Sequence, residues 1–156
     1  EFDPASIKEK LKRLGIYEIF SESEQIIYGR LNNVRASFFN LPYPLIRPVA
    51  SCQNLRIVSK EDIAAMKMAT LAMRGSRKDF IDIYFLLREI PLAKMDELFE
   101  EKYGQSQENV YCALKGLVYF ADAENQPMPS MLVRTSWREV KKQIIAAHRE
   151  YIRRIG

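Results

Sequence analysis

Pro42, Pro44 and Pro48 fall within one short stretch and forbid regular backbone pairing there. The residues on either side of this stretch follow different periods. Ahead of it, Tyr17–Phe20, Gln25–Leu31 and Val34–Phe39 are β-branched and aromatic runs, and Asn32-Asn33 supplies a two-residue turn that tolerates positive φ. After it, Leu55–Val58 is one more short strand, and from Ser59 onward the apolar spacing is helical. The spacing therefore predicts an α+β chain: a small antiparallel sheet of three to four strands, then a helical half. A short helix over residues 4–14 precedes the sheet. Asp3-Pro4 starts it, Ile7, Leu11 and Leu14 form its apolar stripe, and Gly15 stops it.

The helical half divides at its capping signals. Ser59-Lys60-Glu61-Asp62 opens a helix running to about Met73, and Arg74-Gly75-Ser76 breaks it. Ser76-Arg77-Lys78-Asp79 repeats the signal and opens a second helix to about Arg88. Pro91 starts a third, ending at Gly104, and Ser106 caps a fourth, to about Phe120. Residues 121–134 contain Pro127 and Pro129 and read as a loop, and Ser136 opens a last helix to about Arg154. Five helices are thus expected in this half. The domain reading is a first region over 1–58 and a helical region over 59–156, packed as one unit.

Composition closes off several function classes. Cys52 and Cys112 form no metal-ligand pair, and with His148 as the one histidine neither a zinc site nor a Ser-His-Asp triad is available. Two distant cysteines give no disulfide framework, which points to a cytoplasmic protein. No apolar run approaches the ~20 residues of a membrane span. Gly75-Ser76 joins two helices rather than a strand to a helix, so it is no phosphate-cradling loop. Charge is unevenly placed. The chain carries a net +4, and residues 134–156 hold seven basic and two acidic side chains. Arg138, Lys142, Arg149 and Arg153 fall off the apolar stripe of Val140, Ile144, Ala147 and Tyr151. They form either a solvated basic face or a contact for an anionic partner such as RNA.

One segment departs from ordinary amphipathic design. In Phe80–Leu87 a single carboxylate, Asp82, stands among apolar and aromatic residues. A carboxylate in such a run needs a partner, and Lys67, Arg74, Arg77 and Lys78 are the nearby cations. Asp79 lies one turn earlier on the same face. Two readings remain open at this point. Asp79 is a capping acid and Asp82 a largely buried ion-pair partner, or Lys67, Asp79 and Asp82 line a cleft and handle phosphate and metal.

The stretch Ser59–Lys67 with Arg74–Leu87 resembles the central signature of the nucleotidyl transferase AbiEii/AbiGii toxin family, known from type IV toxin–antitoxin systems. Phe38–Leu45, Tyr119–Glu124, Pro127-Met128-Pro129 and Trp137 fit one branch of it. The resemblance implies a polymerase-β-like nucleotidyltransferase fold. It also implies catalytic roles for Lys67, Asp79 and Asp82, with Arg74, Arg77 and Lys78 around the nucleotide phosphates. It further implies Mg²⁺ and an NTP as cofactor and substrate, tRNA or another RNA as acceptor, a cognate antitoxin as partner, and no membrane.

The family's Gly-Gly-Ser/Thr turn and D-x-D strand do not occur in this sequence, and Ser37 stands where many such enzymes place a third carboxylate. No metal ligand is therefore expected within this chain, and neither Mg²⁺ nor NTP is expected on it alone. The resemblance implies that the chain begins just after the metal-binding strand. By itself it is then inactive, the activity belonging to the complete protein. The alternative is a degenerate, non-catalytic homologue that binds a protein or RNA.

Overall fold

A computed structural model describes residues 2–15 and 17–156, and these fall into two compact units that divide at Pro42/Tyr43. The division lies ahead of the 58/59 position expected for the domain boundary.

The first unit contains α1 (Pro4–Leu14) and the strands β1 (Tyr17–Ser23), β2 (Ile26–Leu31) and β3 (Val34–Phe39). Asp3 accepts a hydrogen bond from the Ala5 amide and Pro4 occupies the first turn, as the capping signal predicts. The strands form an antiparallel meander in chain order. Asn32 and Asn33, at φ 47° and 68°, make the tight β2–β3 turn. Leu11 and Ile27 are the buried hydrophobic side chains among the described residues of this unit.

The second unit begins with an irregular proline segment and a hairpin of β4 (Ala50–Cys52) and β5 (Leu55–Ile57). The expected single sheet of three to four strands is thus two sheets, one of three strands and one of two. Gln53 takes φ 53° at the hairpin turn. Next come α2 (Lys60–Met73), α3 (Arg77–Leu86), α4 (Leu92–Tyr103), α5 (Gln107–Leu117), the single turn α6 (Ala121–Glu124) and α7 (Trp137–Ile155). Six helices replace the expected five. The extra one, α6, forms in the segment read as a loop because Arg77 captures two of its carbonyls, Nε reaching Ala123 O at 3.1 Å and Nη2 reaching Glu124 O.

In this unit α2 is central, packed against α3, α4 and α5, and α7 crosses α3, α4 and α5. The core contains Met68, Phe80, Ile83, Met95, Leu117, Val140 and Ile144, all essentially without solvent exposure. Gly116 brings α5 against the α2 backbone, since a Cβ there would strike the carbonyl of Leu71. Phe80, Phe120 and Trp137 pack as an aromatic trio, with Arg77 stacked over the indole at 4.8 Å.

One fully buried ion pair ties the proline segment to the helices. Lys102 on α4 donates to Asp62 on α2 at 2.7 Å, and neither side chain is solvent-accessible. Lys102 also donates to Pro44 O, while Asp62 accepts from the amides of Ile46 and Arg47 and from the Ser59 hydroxyl. A segment whose prolines prevent ladder pairing is held instead by a carboxylate and an ammonium. This clamp is the physical reason why residues 43–58 join the helical unit rather than the first one. Burial pushes the Asp62 carboxyl upward, but the bonds from Lys102, Ile46, Ser59 and Arg47 outweigh it and hold it at about 2.

Candidate functional site

The helices α2 and α3 are joined by the tight turn 74–76, so the end of one faces the start of the other. Lys67, midway along α2, reaches across to both acids of α3: its Nζ lies 2.9 Å from Asp79 Oδ1 and 2.6 Å from Asp82 Oδ2. The acids can share one lysine because positions three apart lie on one helical face. Asp79 also performs the capping duty, its Oδ2 accepting from the Ser76 amide at 3.2 Å and the Ser76 hydroxyl at 2.6 Å. Asp79 is thus both a capping acid and an ion-pair partner of Lys67.

Asp82 is not largely buried. Its side chain is 48% exposed, against 15% for Asp79 and 25% for Lys67. The reason is the arc of α3. Phe80, Ile81, Ile83 and Tyr84 turn toward the core, which leaves Asp82 at the rim. The expected pairing with a cation holds, and that cation is Lys67.

Electrostatics fix the charge states of two members. Burial pushes the Lys67 ammonium down, but hydrogen bonds to Asp82 and Asp79 outweigh it and hold it above the ordinary lysine value. Burial pushes the Asp79 carboxyl up, but bonds from Ser76 and Lys67 outweigh it and hold it below the usual carboxylate value. Lys67 is thus a fixed cation, and Asp79 a fixed anion with both oxygens engaged. Asp82 retains an open oxygen, since only its Oδ2 meets Lys67.

The triad lines a cavity of about 440 Å³ together with Arg74, Lys78, Asp122 and Gln126. Arg74 and Lys78 are exposed, and among the described residues their side chains have no ion-pair or hydrogen-bond partner. Of the four cations the sequence places near these acids, Arg77 alone faces away. It is buried, its guanidinium bonded to the carbonyls of Ala123 and Glu124 and stacked on Trp137. Asp122 and Gln126 were not legible as site residues, because they lie far along the chain from α3, beyond α4 and α5. Gln126 accepts from the Arg77 amide at 2.9 Å and donates to Asp122 O, which brings both into the cleft wall.

The donor set does not suit a divalent-metal clamp. Both oxygens of Asp79 are occupied, and among the described residues no group of three or more His, Cys, Asp or Glu side chains is placed to hold a metal ion. On α7, Arg138, Lys142, Arg149 and Arg153 are all exposed, and Arg149 and Arg153 flank a hollow of about 350 Å³ shared with His148 and Ile152.

The α+β chain thus places a lysine that bridges two helical carboxylates beside two open cations in one cavity. The chain belongs to the family described as nucleotidyl transferase AbiEii toxin, type IV TA system, which it matches over residues 36–154. That span runs from within β3 to the last turn of α7 and contains every residue of the cleft. The chain is 30% identical over 155 residues to the uncharacterized protein aq_aa25 of Aquifex aeolicus (strain VF5), across 97% of this chain and 73% of that protein. No solved structure matches it. Membership in a type IV toxin–antitoxin family implies a cognate antitoxin partner. Among the described residues no helix is long and apolar enough to cross a membrane.

Proposed function

We propose that the α2–α3 cleft is the phosphate side of a nucleotidyltransferase centre. In a protein that also carries a metal-binding strand, it would serve transfer of a nucleotide from an NTP to an RNA acceptor, with tRNA the favoured class. The observation that carries this reading is the pair of unpartnered cations, Arg74 and Lys78, flanking Lys67 in one cavity. Transfer at phosphorus relies on positioning and on cations that meet the triphosphate charge. Lys67, pinned by two carboxylates, is a rigid donor to a phosphate oxygen. Asp79 positions it. Asp82, with an open oxygen at the rim, is placed to accept a hydrogen bond from an acceptor hydroxyl. The exposed bases of α7 are the acceptor's electrostatic surface.

The test is nucleotide labelling of total tRNA. The 156-residue chain alone should label nothing above background. A protein with the metal-binding strand should label its acceptor, and Lys67→Ala or Asp79→Ala should abolish transfer while the far-UV CD spectrum is kept. Full activity in both variants refutes the assignment. For the acceptor surface, changing Arg149 and Arg153 to Glu should weaken tRNA binding, each lost phosphate contact lowering the salt slope by about 0.7–0.9. An unchanged slope removes α7 from the interface.

A further inference from the structure

The polar cleft has an apolar neighbour that the phosphate reading leaves unused. A groove of about 450 Å³ runs along α3 beneath the segment 129–133, and Lys78 and Asp82 belong to both cavities. Its walls are Ile81 and Phe85 of α3 and Pro129, Met131, Leu132 and Val133 of the strap. The strap is fixed at both ends. Gln126 binds Arg77 and Asp122 at one end, and Trp137 donates to Glu124 at the other, beside the Ser136–Glu139 cap. Between these anchors, among the described residues, the backbone of 128–133 makes no hydrogen bond to the rest of the chain. Leu132 and Val133 are exposed although both are apolar.

We infer that this groove is the base-binding part of the same site, and that the strap 129–133 reads the nucleobase of the NTP whose phosphates lie at Lys67, Arg74 and Lys78. The inference rests on the phosphate reading. Three observations point to this occupant. The groove opens onto the polar cleft through Lys78 and Asp82, so one ligand can span both. Each cavity alone is in the size range of small-molecule sites, and a nucleotide has the matching division into a charged and a flat, weakly polar part. Phe85, Met131 and Pro129 offer π, thioether and ring surfaces to a base face, while unpaired strap amides and carbonyls are free to meet its edge.

From its sequence no NTP is expected on this chain alone, but the cleft and the groove both lie within it, so binding of ATP, GTP, CTP, UTP, adenosine and inorganic tripolyphosphate to the 156-residue chain, by calorimetry, decides the matter. Tripolyphosphate should bind through the cations alone, and at least one NTP should bind about tenfold more tightly, the scale of a stacking contact. Phe85→Ala should erase that advantage and leave tripolyphosphate within twofold. Leu132→Ser with Val133→Ser changes only exposed side chains, and decides the question if Phe85→Ala fails to fold. Equal binding of tripolyphosphate and every NTP, or an undiminished advantage in the strap variant, overturns the base site and leaves the phosphate cleft standing. Failure of the folded chain to bind any of the phosphates overturns the phosphate reading, and this inference with it.

Discussion

Replacing Lys102 by Met should destabilise the second unit by about 3 kcal/mol or more. The substitution keeps the length of the side chain and removes its charge, leaving Asp62 fully buried without its cation. Breaking a buried pair in this way costs about 3–5 kcal/mol. The lower part of that range applies because Asp62 keeps three donors, the Ile46 amide at 2.9 Å, the Arg47 amide at 3.1 Å and the Ser59 hydroxyl at 2.7 Å. A second figure comes from protonation. Asp62 titrates at about 2 in the fold against an ordinary 3.8, a gap worth about 2 kcal/mol. A depressed acid stabilises above its unfolded value, so this contribution is complete near neutral pH and is lost as pH falls from 3.8 toward 2. The assay is urea unfolding followed by the single tryptophan, Trp137, which packs on Phe80 and Phe120 within the second unit. Lys102→Met, Asp62→Asn and their combination form a double-mutant cycle, expected to couple by about 2 kcal/mol. A Lys102→Met loss under about 1 kcal/mol, with additive variants and an acid limb of unchanged shape in Asp62→Asn, would refute the clamp.

Gly116→Ala should lower stability by about 1–3 kcal/mol by calorimetry, because the added methyl strikes the Leu71 carbonyl and separates α5 from α2. Asp96 is buried on α4, with one oxygen unpartnered and the other hydrogen-bonded by the Tyr151 hydroxyl at 2.5 Å. Burial holds its carboxyl above the ordinary value, so its contribution is lost as pH rises through the folded titration point. Asp96→Asn should therefore gain stability over wild type as pH increases, and an advantage that shrinks with pH refutes this. Arg77→Ala should cost about 2–3 kcal/mol by freeing the carbonyls of Ala123 and Glu124, and should leave tripolyphosphate affinity unchanged, whereas Arg74→Ala should weaken that affinity and leave stability unchanged.

What the sequence determined by itself was local. The proline stretch separates a period-two text from a helical one, and Ser59, Ser76 and Ser136 mark helix starts through bonds that close within three residues. The meeting of Lys67 with Asp79 and Asp82 was legible for the same reason. Two acids three apart share a helical face, and a tight turn folds that face back onto the preceding helix. The exposed basic residues of α7 followed from the apolar stripe they avoid. The tertiary structure decided everything that depends on distant partners. Asp62 looked like a capping acid, and its pairing with Lys102 forty positions away moved residues 43–58 into the helical unit. Arg77 looked like a phosphate ligand until α6 presented two carbonyls to it. Asp82 sits at the rim, and Asp122, Gln126 and the strap 129–133 border the cleft, because of how α3 rolls against α2 and α7. No spacing within one helix encodes that roll. It is fixed by side-chain packing at the helix crossings, between residues whose separation along the chain carries no period.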